Sequence, residues 1–251
     1  MEKKEGNKTF GLLGKQIAYS FSRGYFTDKF KKMNLQDHEY VNFDIPEITD
    51  FPKIVAQQSG IKGINVTIPY KEQVMPFLDS IDEKAEKIGA VNTIKITKEG
   101  FLKGYNSDVV GFENSLKPLL KKHHKKALIL GTGGASKAIA FALELQNIDY
   151  KFVSRNPKDQ SEISYADITA QTIAMYTVII NSTPLGTSPN IHESPTIPYQ
   201  FITKKHLLFD LIYNPEMTKF LKEGKQRGAT IKNGYEMLEL QAEESWRIWN
   251  S

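Results

Sequence analysis

The chain has 251 residues, with 33 Lys+Arg against 29 Asp+Glu for a net charge of +4, and is 40% hydrophobic and 25% charged; this ordinary globular balance excludes disorder, collagen and coiled-coil arrays. It contains no cysteine, which excludes disulfides, Cys-based zinc sites, iron–sulfur clusters and thiol catalysis. The pI near 8.9 reflects a mild excess of charge, suited to a small anionic substrate or cofactor and far from a nucleic-acid-binding stripe.

The length exceeds the about 100–150 residues of a common single domain, so one large domain or two smaller ones are expected. The N-terminus is followed by only a short apolar stretch, Phe10–Leu13, well below a signal-peptide core, and no run approaches the ~18 apolar residues of a membrane span. A soluble cytoplasmic protein is expected. From Phe10 to about Asn106, short apolar runs alternate with segments of helical period, as in a βαβ sequence. Glu39–Ile45 and Ile61–Thr67 read as strands. Ser22–Met33 reads as a helix with Tyr25, Phe26, Phe30 and Met33 on one face. Ala90–Ile96 and Phe101–Asn106 flank Lys98-Glu99-Gly100, a glycine turn that predicts a hairpin. A helix starts near Val109, where a domain boundary is expected. The basic run Lys121–Lys126 reads as a solvated connector. Ala127–Leu130, Tyr150–Val153, Thr177–Asn181, Leu207–Ile212 and Thr230–Lys232 are the later strands, in the pattern of a doubly wound sheet. The last segment, Gly234–Trp249, carries Leu238, Ala242, Trp246 and Trp249 as one apolar stripe.

The clearest local signal is Leu128-Ile129-Leu130-Gly131-Thr132-Gly133-Gly134-Ala135-Ser136, a strand running into a glycine turn and the helix Lys137–Leu145. Glycines let the backbone approach a pyrophosphate, and the helix N-terminus attracts it. The G-x-G-x-x-G pattern is incomplete, with Ser136 at the third glycine, so a purely structural turn stays open as an alternative. At the end of the next strand, Ser154-Arg155-Asn156 contains no acid. Arg155 suits a 2′-phosphate, which favours NADP over NAD. In the first half, Asn65-Val66-Thr67-Ile68-Pro69-Tyr70-Lys71 and Asn106-Ser107-Asp108 each place polar residues where a strand ends and a helix begins, the ligand-binding end of an open α/β sheet. Lys71 suits a general acid or base; helix capping is the alternative for Ser107 and Asp108. Ser20 and Ser22 sit ahead of a helix, where hydroxyls either hold a carboxylate or cap the helix. The five histidines show no H-x-H or H-E-x-x-H spacing, so no metal is expected. The absence of G-x-S-x-G removes support for a hydrolase of that class.

Taken in order, these segments resemble the shikimate dehydrogenase family. The resemblance runs from Ser20-Phe21-Ser22 through Asn65–Lys71, Ile88-Gly89-Ala90-Val91-Asn92-Thr93, Asn106-Ser107-Asp108, Gly131–Ser136 and Ser154-Arg155-Asn156. It continues through Asn181-Ser182-Thr183-Pro184-Leu185-Gly186, Asp210-Leu211-Ile212-Tyr213-Asn214-Pro215 and Asn233-Gly234…Met237-Leu238…Gln241-Ala242, almost the whole chain. It implies an α/β fold of two domains: an open α/β substrate-binding domain, residues 1–107 with 234–251, and an inserted Rossmann-like NADP-binding domain, residues 108–233. The C-terminal helix then returns to the first domain.

The resemblance further implies reversible, NADP(H)-dependent reduction of 3-dehydroshikimate to shikimate in aromatic amino acid (chorismate) biosynthesis. It assigns Lys71 and Asp108 as the catalytic pair, with Lys71 moving the proton. Ser20, Ser22, Asn65, Thr67, Asn92, Tyr213 and Gln241 become substrate-binding, the two serines on the carboxylate. Gly131, Gly133, Gly134, Ala135, Ser154, Arg155, Asn181, Ser182, Thr183, Gly234 and Met237 become cofactor-binding. The chain departs from the family at Tyr19 (commonly His), Arg23 (commonly Pro), Ser107 (commonly Thr) and Ser154 (commonly Asn), and no departure removes a catalytic group. A monomer or homodimer is expected, with a small-molecule substrate and neither nucleic acid nor membrane as partner. The alternatives are a quinate/shikimate dehydrogenase paralogue and a non-catalytic NADP- or shikimate-binding module.

Overall fold

In the computed structural model, which describes residues 7–18, 20–58 and 60–251, internal contacts divide the chain into two units, Met1–Ser107 with Ala242–Ser251, and Asp108–Gln241. The first unit begins with β1 (Lys8–Gly14), α1 (Phe21–Lys32), β2 (His38–Asp44), α2 (Phe51–Gln57), β3 (Ile61–Val66) and the short α3 (Tyr70–Gln73). It continues through β4 (Ser80–Ile81), α4 (Glu83–Ile88), β5 (Thr93–Ile96) and β6 (Leu102–Tyr105). Its sheet has the order β2-β1-β3-β5-β6-β4. Strands β2, β1 and β3 run parallel, and β5 is antiparallel to both β3 and β6. The β5–β6 hairpin turns at Gly100, whose φ of +88° is the conformation that the glycine signal predicts.

Because side chains alternate along a strand, β1 feeds two cores. Leu13 packs with Phe51, Ile64, Tyr70 and Ile94, whereas Phe10 and Leu12 pack with Phe26, Phe30, Tyr40 and Trp249. On α1, Phe26 and Phe30 are buried, but Met33, expected on the same face, is 47% exposed. The helix ends at Lys32 and Met33 is only its C-cap, so the helical period no longer directs that side chain inward.

The second unit contains α5 (Asp108–Leu116), β7 (Lys126–Leu130), α6 (Gly134–Leu145), β8 (Asp149–Ser154), β9 (Glu162–Ser164) and α7 (Ala170–Met175). Then come β10 (Val178–Asn181), β11 (Leu207–Asp210), α8 (Lys219–Gln226), β12 (Thr230–Lys232) and the start of α9 (Tyr235–Trp249), whose residues from Ala242 onward belong to the first unit. The sheet order is β12-β11-β10-β7-β8-β9 and every pairing is parallel. This is the doubly wound order of a dinucleotide-binding fold, with its switch point between β7 and β10. Strand β9 is not among the expected strands, because Glu162-Ile163-Ser164 is too short to display an alternating pattern.

Two sequence expectations shift. The inserted unit extends to Gln241 rather than 233, because α5 packs on the start of α9. A Cβ built on Gly111 would lie 2.6 Å from the Met237 carbonyl oxygen and 3.0 Å from Gln241 Cβ. The buried face of α9 also differs from the expected stripe. Met237, Gln241, Ala242, Ser245, Ile248 and Trp249 are buried, while Leu238 and Trp246 are only half-buried. The basic run is a connector, but His124 within it is buried at 3% exposure. Its Nδ1 accepts the Lys121 N–H at 3.0 Å and its Nε2 lies 3.1 Å from the Lys205 carbonyl, and burial lowers its pKa. Among the described residues, no helix is long and apolar enough to cross a membrane.

Trp249 closes the first unit. Its Nε1–H donates to the Ile94 carbonyl at 3.0 Å, and its indole occupies the space that a Cβ on Gly63 would need. Gly63→Ala should therefore displace the indole and destabilise the protein by about 1–3 kcal/mol, the usual cost of overpacking. A urea-unfolding midpoint below that of the parent, at unchanged slope, checks this.

Candidate active site

The antiparallel course of β5 places its start beside the carboxyl end of β3, with Asn65 opposite Thr93 and Thr93 opposite Tyr105. Residues 65–67, 92–93 and 106–107 therefore gather at one end of the sheet although they are distant in sequence. Asn65, Asn92, Asn106 and Ser107 are all buried there. Asn65 Oδ1 accepts from the Tyr40 hydroxyl at 2.8 Å, and its Nδ2 donates to Ser245 Oγ at 2.8 Å. Asn92 Oδ1 accepts the Ser107 N–H at 2.6 Å, and its Nδ2 donates to Ser107 Oγ at 3.0 Å. Asn106 Nδ2 donates to the Ala90 carbonyl at 2.9 Å. An unpaired buried polar group costs about 1–3 kcal/mol, and pairing these amides lets the sheet end stay polar.

The remaining predicted residues of the first unit flank this cluster in sequence. Ser20 caps α1, its Oγ accepting the Arg23 N–H at 3.4 Å; Tyr19 lies outside the described residues. Ser22, in the first turn, lies beside the Tyr40 hydroxyl. Thr67 is half-buried, and its N–H donates to the Leu13 carbonyl at 2.9 Å. Lys71 is half-buried in α3, and its carbonyl accepts the Val91 N–H at 2.8 Å, tying it to the segment that carries Asn92. Asp108, Tyr213 and Gln241 belong to the second unit. Asp108 opens α5 directly after Ser107 and is 6% exposed. Gln241 Nε2 donates to the Leu238 carbonyl at 3.1 Å. Tyr213 follows β11, and burial raises its pKa.

In the second unit the glycine turn sits at the carboxyl end of β7. Gly131 has φ +103°, a conformation that other residues rarely adopt, and a Cβ there would press on Ser182 Oγ and Thr183 Cγ2 at 3.1 Å. Gly133 caps α6 and is exposed; among the described residues, a Cβ on it would meet nothing within 4 Å. The open space lies where the first free N–H groups of Gly134 and Ala135 and the positive end of a 12-residue helix favour an anion. Ser136, at the third glycine position, is 1% exposed and turns inward, its Oγ donating to the Gly133 carbonyl at 2.6 Å. A small side chain thus suffices there. At the end of β8, Ser154 Oγ accepts the Asn156 N–H at 3.2 Å and Arg155 is exposed. These features fit a dinucleotide bearing a 2′-phosphate.

The loop after β10 braces that turn. Ser182 Oγ donates to the Leu130 carbonyl at 2.7 Å. Asn181 is fully buried, its Oδ1 accepting from Thr183 Oγ1 at 2.6 Å and its Nδ2 donating to Asp210 Oδ1 at 3.0 Å. Its amide is spent inside the protein and shapes the loop. Gly234 is required by packing, since a Cβ would run into the Leu211 carbonyl. Met237 is buried.

Comparison with known proteins adds to this geometry. Residues 12–94 match the family model described as the shikimate dehydrogenase substrate binding domain. A Clostridium botulinum protein named shikimate dehydrogenase (NADP(+)) is 40% identical over 250 residues, covering 96% of each chain. A protein of the same name from Methanosphaera stadtmanae is 38% identical over 257 residues, covering 95% of this chain and 90% of its own. The crystal structure of a shikimate 5-dehydrogenase from Thermus thermophilus, solved with NADP(H) and shikimate, superposes with a TM-score of 0.84 at 29% identity over 96% of this chain and 93% of that one.

Sequence reasoning assigns no role to Asp210, Tyr40 or Ser245. Asp210 ends the apolar run Leu207-Leu208-Phe209, and a carboxylate in that position is the signal that would have found it. Fully buried, it accepts from Asn181 Nδ2, the Ile212 N–H at 3.1 Å and Thr218 Oγ1 at 2.5 Å, all neutral donors. Burial pushes its pKa from 3.8 up to about 6. A raised folded-state pKa means that the fold prefers the protonated form, so stability is present at acid pH and is lost as pH rises from about 4 through 6. Asp210→Asn should remove that dependence. Between pH 4 and 7 the unfolding free energy of the parent should fall by about 2 kcal/mol relative to the variant, as read from denaturant titrations of both proteins.

Proposed function

This chain belongs to the shikimate dehydrogenase family, and on that premise we propose that it catalyses the reversible NADP-dependent reduction of 3-dehydroshikimate to shikimate, a step of aromatic amino acid biosynthesis. The observation that carries the reading is that one chain holds both a buried set of amides and hydroxyls at one sheet end and, in its second sheet, a glycine turn with open space at a helix N-terminus and Arg155 after the next strand.

In this reading Ser20 and Ser22 bind the substrate carboxylate at the start of α1, where hydroxyls and the helix dipole both favour an anion. Asn65, Asn92, Thr67, Tyr213 and Gln241 bind the ring oxygens. Polar side chains arranged around hydroxyls discriminate strongly, because an analogue lacking a hydroxyl leaves buried groups unpaired. The backbone of Gly131, Gly133, Gly134 and Ala135 holds the pyrophosphate, and Ser154 and Arg155 hold the 2′-phosphate. Asn181, Ser182, Thr183, Gly234 and Met237 shape the rest of the cofactor site. When bound, NADPH supplies the hydride to the ketone carbon, and NADP+ accepts it in the reverse reaction. Lys71 donates a proton to the carbonyl oxygen as negative charge develops there, and retrieves it on oxidation. Asp108 is the second member of the catalytic pair that the family resemblance assigns. A mere binding module has no use for such a proton donor. The activity is placed in the cytoplasm, in a monomer or homodimer. No nucleic-acid partner is invoked, since the basic run is short and its His124 is buried.

Purified protein given shikimate at alkaline pH should generate reduced cofactor with NADP+ faster than with NAD+, as followed by absorbance. Lys71→Met should lower kcat by about 10²–10⁴-fold, the usual worth of general acid–base catalysis; turnover near the parent rate would remove Lys71 from the chemistry. Arg155→Ala should lower kcat/KM for NADP+ by roughly 10–100-fold, the loss of one charged hydrogen-bonding partner, while the NAD+ reaction stays unchanged.

A further inference from the structure

We propose that Tyr40 is a positioning residue for substrate recognition, fixing the amide of Asn65 from behind in concert with a triangle of buried hydroxyls from Thr93, Ser107 and Ser245. The proposal rests on the functional reading above and adds residues that touch no substrate in it.

An asparagine amide can turn over, exchanging its acceptor and its donor, so a site that reads a hydroxyl with Asn65 needs something to fix which end points where. Tyr40 supplies it. Its ring lies 4.8 Å from that of Phe26, nearly parallel at 9°, with Trp249 6.5 Å away, so the phenol is clamped. Its hydroxyl donates to Asn65 Oδ1 at 2.8 Å. Burial pushes the phenol's pKa up, so it remains a donor at any working pH. The same oxygen lies beside Ser22, placing one tyrosine between a residue proposed for the substrate carboxylate and one proposed for a ring hydroxyl.

The triangle holds the other end. Ser245 Oγ lies 2.8 Å from Thr93 Oγ1 and 3.0 Å from Ser107 Oγ, and Thr93 and Ser107 are 3.1 Å apart. All three residues are 0% exposed. Asn65 Nδ2 donates into this group at Ser245, and Asn92 Nδ2 donates into it at Ser107 Oγ. Both amides are thereby fixed by one set of hydroxyls drawn from β5, the turn before α5 and α9. Because these groups are out of water, misplacing one leaves a neighbour unpaired, which makes the arrangement all-or-none.

Tyr40→Phe keeps the ring and its stacking and deletes one oxygen. KM for shikimate should rise about tenfold, the size of one neutral hydrogen bond, with kcat and KM for NADP+ within about twofold of the parent. Ser245→Ala should give the same split and is the second test if the first variant folds poorly. A lowered melting temperature with KM for shikimate unchanged in both variants would mean that the network serves only packing, and would overturn the proposal alone. A parent protein that neither binds shikimate by calorimetry nor oxidises it would overturn the functional reading, and this proposal with it.

Discussion

The pairing of β5 in antiparallel register with β3 is the constraint on which the first unit depends. In an all-parallel sheet the start of β5 would lie at the opposite end from the close of β3, and Asn65 and Asn92 would be a strand length apart. The reversal brings Asn65 opposite Thr93 and puts Asn92 one residue beyond, while β6 returns along β5 to deliver Asn106 and Ser107 to the same end. Once four polar side chains are placed together away from water, each must be paired. The Ala90 carbonyl answers that requirement for Asn106, and the hydroxyls of Tyr40, Thr93 and Ser245 answer it for the others, in doing so fixing the amides of Asn65 and Asn92.

The second unit solves a related problem with a charge. Asp210 ends β11, beside Asn181 at the end of β10, with no cation among its hydrogen-bonding partners. A buried carboxylate of this kind costs stability at neutral pH. What it secures is a relay through Asn181 to Thr183, beside the glycine turn at Gly131. The turn itself consists of residues with little side chain to pack, so its shape is set by neighbours that are fully committed to hydrogen bonds. Rigidity there lowers the ordering cost of binding an anion.

Much of this was legible in the chain. Strands such as Ile61–Thr67 and Thr230–Lys232, the hairpin at Gly100, the glycine turn before α6 and the run of segments resembling shikimate dehydrogenases were all readable from local pattern. The parts that were not legible depend on what lies across the sheet. Tyr40 looks like any inward-facing strand aromatic until Asn65 is placed beside its hydroxyl. Ser245 interrupts the apolar face of α9, and its polarity has meaning only once Thr93 and Ser107 meet it. Met33 follows the helical period but falls just beyond the helix that would have buried it. The resemblance implies a domain limit at 233, with the whole terminal helix in the first domain, whereas contacts such as the close approach of Gly111 to Met237 group residues up to Gln241 with the second unit.

The indole over Gly63 also bears on the order in which the molecule is assembled. The second unit is continuous in sequence, whereas the first is finished by residues 242–251, among them Ser245 and Trp249. On a growing chain the dinucleotide-type sheet has all of its strands before the substrate-side sheet receives the tryptophan that completes its aromatic core. Until then Phe10, Phe26 and Tyr40 pack without the indole that completes their cluster, and the amide of Asn65 lacks the serine that accepts from it. The first unit is thus begun first and completed last.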